Sequence, residues 1–295
     1  MIRSLTCIAL LSVAIGASAQ TADPKYFGQK APGTTPEVFA PGIVSIKDQF
    51  EFGSIYSNDL NEFYLGVKVN GRAETRMLKY DNGRWSEPIP ILLHGTYSHN
   101  DPALTPDQMK LFFISDRPMD GEGPKKDYDI WYVERRGDSW SEPKNAGPHI
   151  NTSENQYYIS FTKGGKMYFS SNQKSNGKDN YDIHSSEWKH DAFQPSKKAS
   201  AVVNTPRYEG DVFVAPDESY LIYCANHEGD FGEGDLYVVF KQEDGTWSDA
   251  KNLGPTINTE TVDFCPFVTP DGKYLMYSSR GDIYWVSMEV VMKLK

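Results

Sequence analysis

The sequence predicts an all-β fold: a five-bladed β-propeller of four-stranded blades, closed by pairing of its N- and C-terminal strands. Three observations carry that prediction. A unit of about 53 residues repeats along the 295-residue chain, and a fixed period of that size is the mark of a repeat architecture. Each unit reads as four short strands separated by turns. The last unit stops one strand early, while one unassigned strand precedes the first.

Four markers fix the period. Trp85-Ser86-Glu87-Pro88, Trp140-Ser141-Glu142-Pro143, Phe193-Gln194-Pro195 and Trp247-Ser248-Asp249 succeed one another at intervals of 55, 53 and 54 residues. Ile150-Asn151-Thr152, Val203-Asn204-Thr205 and Ile257-Asn258-Thr259 follow three of them. Asp129-Ile130-Trp131, Asp182-Ile183-His184, Asp235-Leu236-Tyr237 and Asp282-Ile283-Tyr284 each open a strand. Leu111-Phe112-Phe113, Met167-Tyr168-Phe169, Leu221-Ile222-Tyr223 and Leu275-Met276-Tyr277 each leave a turn.

The second unit shows the pattern. Ala103–Thr105 is a strand, Pro106-Asp107 a turn, and Lys110–Ser115 the next strand. A Gly-rich loop leads to a third strand from Asp129 to Arg135, a turn at Gly137-Asp138 and a short fourth strand around Trp140. No segment after the N-terminal leader holds a helical period. The units run 51–100, 101–156, 157–210, 211–263 and 264–295. Four strands per unit is the arithmetic of a propeller, whose blades bury their faces only by stacking on one another. The strand missing from the last unit is supplied by Glu37–Ser45, which removes an exposed sheet edge.

Ahead of this domain (37–295), residues 1–19 read as a signal peptide and 20–36 as a linker. Arg3 is followed by the apolar run Cys7–Gly16 and the small-residue cleavage site Ala17-Ser18-Ala19. The run is too short to span a bilayer, so the expectation is an exported, periplasmic or secreted protein without membrane insertion. A formal net charge of −10 argues against a nucleic-acid partner, which needs clustered Lys and Arg. Cys224 and Cys265 lie in the domain. An oxidising compartment permits a disulfide between them, and two buried thiols are the favoured reading.

The run Thr269-Pro270-Asp271-Gly272-Lys273-Tyr274-Leu275-Met276-Tyr277-Ser278-Ser279, the Asp-Ile-Trp and Asp-Ile-Tyr strand starts and Trp-Ser-x-Pro resemble the WD-like repeat of the TolB family of exported propellers, over residues 37–295. That resemblance implies a docking module for other envelope proteins. It departs from the family in lacking a separate α/β domain between leader and propeller, and in showing five blades where TolB-type rings usually have six.

Most repeated residues are expected to be scaffold. Asp129, Asp182, Asp235 and Asp282 follow loops, where a short carboxylate accepts from backbone N–H groups. Asn151, Asn204 and Asn258 read as turn formers, and the Trp of Trp-Ser-x-Pro as an anchor between blades. Asp120–Gly123 and Asp230–Gly234 resemble calcium loops but lack the full ligand order, and read as hairpin tips.

A second column is not demanded by packing. Alignment on the second strand sets Glu51, His99, Asn155, Glu209 and Asp263 at the start of each innermost strand, expected to ring one channel mouth. Asp101 and Asp211 come next, with Tyr157 and Cys265 in other blades. Neighbouring loops bring Asp116, Arg117, Asn172, Asn226, His227 and Arg280. Three carboxylates on consecutive blades either hold a proton with a raised pKa or meet a cation. A divalent cation such as calcium is therefore the cofactor this column admits, at Glu51, His99, Glu209 and Asp263. The expected ligand is an envelope protein or an oligosaccharide. The alternative is a glycoside hydrolase with Glu51, Glu209 and Asp263 as candidate acid and base or nucleophile.

Overall fold

The computed structural model describes residues 22–92, 95–119, 121–172, 180–190 and 192–295, so the predicted signal peptide and Asp120 lie outside the described residues. Five antiparallel sheets form the five blades. Blade 1 comprises Glu51–Tyr56, Glu62–Val69 and Arg72–Asp81, with Arg84–Trp85 and Ile89–Pro90 sharing its outer edge. Blade 2 comprises Asn100–Leu104, Lys110–Ser115 and Asp129–Arg136, edged by Ser139–Trp140 and Lys144–Asn145. Blade 3 runs Gln156–Phe161, Met167–Ser171, Asp182–Ser186 and Lys197–Lys198. Blade 4 runs Glu209–Val214, Tyr220–Ala225, Asp235–Phe240 and Lys251–Asn252. The first strand of every blade touches its counterparts in the two flanking blades, so these strands surround the central channel.

Blade 5 (Asp263–Val268, Tyr274–Ser279, Asp282–Ser287) takes its fourth strand from the N-terminus, as Glu37 pairs with Trp285 and Val38 with Tyr284. The closing strand is shorter than expected. Phe39 still donates its N–H to Ile283 at 2.8 Å, but Ala40 and Gly42 turn with positive φ, and Pro41 has no N–H to continue a ladder.

Residues 24–31 lie against the ring. Tyr26 ends a 3-10 turn (Pro24–Tyr26) and is buried among Tyr56, Tyr274 and Trp285. Phe27 stacks on Trp85 at 4.3 Å, and the Trp85 indole donates to the Pro24 carbonyl. The expectation of no helix also misses one C-terminal turn, Glu289–Met292, whose Val290 and Val291 are buried.

The core is divided among the blade interfaces, which is why one blade cannot stand alone. Buried apolar clusters join blades 1 and 2 (Tyr64, Leu111, Trp131), 2 and 3 (Phe112, Phe169), 3 and 4 (Tyr168, Val212, Tyr223), 4 and 5 (Ile222, Leu236, Leu275), and 5 and 1 (Phe63, Met276, Trp285). Each fully buried large side chain contributes about 1.5–3 kcal/mol. Cys224 and Cys265 are both buried free thiols.

Every innermost strand is broken by a bulge two residues into the blade repeat. The residues there are Gly53, Asp101, Tyr158, Asp211 and Cys265, with φ of 54°, 51°, 42°, 49° and 51°, at shifts in strand register. A bulge bends a strand and re-aims a side chain, and these five positions form the waist of the channel. The structure therefore corrects the alignment in blade 3: Tyr158 holds the position expected of Tyr157, and Gln156 that expected of Asn155.

Candidate ligand-binding site at the channel mouth

Residues of the expected polar column hold the blades together. The first turn of each third strand needs a partner for one N–H that the short outer strand does not reach. Asn151 accepts from Ile130 N–H at 2.9 Å, Asn204 from Ile183 at 2.7 Å and Asn258 from Leu236 at 2.8 Å. Ser45 accepts from Ile283 at 3.1 Å, and His99 Nδ1 from Thr75 at 3.0 Å. The residue after each Asn then ties to the next blade. Thr152, Thr205 and Thr259 donate their N–H to Gln156, Glu209 and Asp263, and Ile46 donates to Glu51 at 3.2 Å.

Glu51, Glu209 and Asp263 are fully buried, each within its own clasp. Burial drives the Glu51 carboxyl up to about 7, against hydrogen bonds from Ile46 and Gln49, and raises Glu209 and Asp263 above the usual range. Burial also lowers His99 to about 4, leaving it neutral, as its role of accepting at Nδ1 requires. His227 Nε2 lies 3.1 Å from Glu209. Arg117 sits against Tyr97 and Trp131, Asn155 accepts from Tyr128 N–H, and Arg280 is exposed. The column is distributed around the ring. Among the described residues, no three His, Cys, Asp or Glu side chains gather closely enough to hold a metal ion.

The scaffold aspartates also divide. Asp235 accepts from the Phe231 and Gly232 N–H groups, as expected. Asp129 and Asp182 instead pair with Lys126 and Lys198.

Asp101 and Asp211 lie deeper, at the waist, and belong to a cavity of about 330 Å³ that opens where the innermost strands begin. Asp101 is 5% exposed. Burial pushes its carboxyl up to about 8, with the nearby Asp211 charge adding to the shift. Burial raises Asp211 to about 6, opposed by the Cys265 backbone N–H. The Cys265 thiol stands 3.8 Å from Asp101 Oδ1. Gly53 completes the waist and leaves room for Asp101: a Cβ there would come within 2.9 Å of Asp101 Oδ1. Tyr158 crosses the channel, donating its hydroxyl to the Pro266 carbonyl at 2.8 Å.

Above the waist the walls are aromatic. Phe52 and Phe264 stack at 6.5 Å. Tyr157, Tyr181 and Tyr208 form an edge-to-face chain at 5.4 and 5.8 Å. Gly210 lets Tyr208 fold inward, since a Cβ at 210 would strike the Tyr208 ring. Asn100 adds a buried side chain whose Oδ1 has no hydrogen-bond partner. Sequence reasoning had found Asp101 and Asp211 but missed Tyr181 and Tyr208, which directly precede the third strand of blade 3 and the first strand of blade 4. The glycine at 210, where other blades carry larger residues, was the available signal.

A cavity of about 370 Å³ at the opposite mouth is lined largely by apolar residues, including Ile55, Phe213, Phe267 and the turn prolines 106, 216 and 270.

No known family's profile matches the chain, and no curated protein matches it. Solved propellers do. A propeller from a nidogen/laminin complex aligns at 12% identity over 88% of this chain and 88% of that one, with a TM-score of 0.53. A thermostable family-43 glycoside hydrolase aligns at 15% identity over 83% and 90%, with a TM-score of 0.52. TolB from Acinetobacter baumannii aligns at 12% identity over 80% of this chain and 54% of that one, with a TM-score of 0.49; this chain spans about half the length of that protein. At these identities the likeness to the first two shows the fold alone: the chain is a five-bladed β-propeller.

Proposed function

We propose that the chain is an exported, TolB-like binding module that takes an envelope protein or carbohydrate ligand at the Asp101/Asp211 mouth. One observation carries this reading: that mouth joins an aromatic wall to a polar floor, the composition of a small-ligand site. The carboxylates first considered for hydrolysis are engaged in the interblade clasps. Among the described residues no helix is long and apolar enough to cross a membrane.

The test is ligand-observed NMR and thermal shift with panels of neutral oligosaccharides, short peptides and calcium, on wild type, Tyr181→Ala and Asp211→Asn. Binding to wild type that weakens at least tenfold in both variants supports the reading. Binding unaffected by either variant, or none at all, overturns it.

A second reading rests on the split between Asp101 and Asp211. Two adjacent carboxyls with unequal pKa values suit acid–base chemistry, with Asp101 as the acid and Asp211 as the base. Release of chromophore from aryl glycosides, abolished in Asp101→Asn, would favour this hydrolase over the binding module.

A further inference from the structure

The channel mouth presents two carboxyl groups whose donors, the Asn100 and Cys265 side chains at Asp101 and the Cys265 N–H at Asp211, carry no charge. Asp101 and Asp211 place two carboxyl groups at the floor. Asn100, 7% exposed, lines the same cavity with an Oδ1 that nothing bonds. A buried polar atom left without a partner marks a missing group. Among the described residues that line the cavity, none is Lys, Arg or His. The walls add the faces and edges of Phe52, Phe264, Tyr157, Tyr181 and Tyr208, and aromatic faces attract cations.

We infer that the mouth binds a primary ammonium group carried on an apolar or sugar stem, with its three N–H bonds shared among Asp101, Asp211 and Asn100 Oδ1 and its stem against the aromatic wall. This inference rests on the channel-mouth reading and names the ligand chemistry within it. The match is of number as well as charge. An ammonium carries three donors and no acceptor, while a quaternary ammonium offers only charge and a hydroxyl one donor. The raised carboxyl pKa values of Asp101 and Asp211 agree with two acids that lack a neutralising partner. The waist fixes the depth, because Tyr158 and Cys265 close the floor behind the carboxyls. A ligand entering here has to present its ammonium end first.

The experiment measures binding of n-hexylammonium, 1-hexanol and tetramethylammonium at matched ionic strength, by saturation-transfer NMR and thermal shift. The proteins are wild type, Asp101→Asn, Asp211→Asn and Asn100→Leu. The expected result is hexylammonium binding at least tenfold tighter than either comparison compound. It should weaken about tenfold or more in both Asp variants and severalfold in Asn100→Leu. All three variants remove buried, incompletely paired polar groups, and a retained melting transition identifies those that stay folded. Equal affinity for amine and alcohol overturns the inference, as does amine binding that survives both Asp substitutions. If neutral oligosaccharides bind at this mouth and hexylammonium does not, the ammonium assignment fails while the binding module stands. If neither binds, and no short peptide or calcium ion does, both fail.

Discussion

Asp101 occupies left-handed backbone, is almost wholly buried, and faces a second carboxyl across the channel waist. Non-glycine residues held in that conformation cost about 1–3 kcal/mol each, and such strain gathers at functional sites. Its titration gives a test independent of any ligand. Burial places Asp101 at about 8, Glu51 at about 7 and Asp211 at about 6 when folded, against about 4 for unfolded carboxyls. The folded state then binds more protons across that window, so stability falls as pH rises. The contribution is fully present below about pH 4 and is lost by about pH 8. Asp101→Asn should therefore raise the melting temperature more at pH 8 than at pH 5, and a variant whose advantage is the same at both would contradict the assigned shift. His99 shows a bond that sequence alone does not reveal. It stood in a polar column that looked like a site, yet its Nδ1 accepts the Thr75 N–H just as Asn151, Asn204 and Asn258 accept theirs. A recurring polar residue satisfied a recurring backbone need, and only the bond partners show which.

Short outer strands explain the clasps. Lys251–Asn252 pairs with only two residues of Asp235–Phe240, so the Leu236 N–H falls to the Asn258 side chain, which shares the Leu236 carbonyl with the Leu253 N–H. Asn258→Ala leaves the Leu236 N–H unpaired, at about 1–3 kcal/mol, while the Leu236 carbonyl keeps the Leu253 N–H; urea denaturation should show a loss of that order, and a loss under about 0.5 kcal/mol would remove the clasp's structural role. Trp140 acts between elements as expected of the repeated Trp. It lies under Arg135 at 4.5 Å and beside Tyr64 of blade 1, while Arg135 forms a two-pronged pair with Glu62 at 2.8 and 2.6 Å. Because Trp140 is only partly buried, Trp140→Ala should cost about 2 kcal/mol, below the 3–5 of a fully buried aromatic. Calorimetry that finds no change would return Trp140 to the surface. Blade boundaries were legible because turn residues and strand starts kept one period. The register of blade 3 was not, because its turn between first and second strands is one residue shorter than in the other blades, Phe161 pairing with Met167 where Val214 pairs with Leu221; the constant step of four from Thr152, Thr205 and Thr259 to Gln156, Glu209 and Asp263 would have supplied it.

The ring as a whole depends on its closing strand. Removing residues 22–39 would strip the edge of Asp282–Ser287 and uncover Trp285, Tyr274 and Tyr56, which Tyr26 and Phe39 now cover. We expect a large fall in melting temperature and aggregation through the bared edge, measured by light scattering during a thermal scan; a deletion that melts like the parent would show that closure contributes nothing. The fivefold architecture was readable from sequence because the end of the chain lacked what its beginning held in excess. The packing of residues 24–31 was not, since aromatic contacts without a period leave no pattern to read. The same closure orders events in time. Ser45 and Ile283, bonded in the finished ring, stand 238 residues apart, so the seam can form only once both are present. Blades 1 to 4 can each form from neighbouring sequence, but the seam joins ends whose meeting carries the largest loop-closure cost in the molecule. Such distant pairing is slow. Until the seam pairs, the chain is an open arc with two unsatisfied ends.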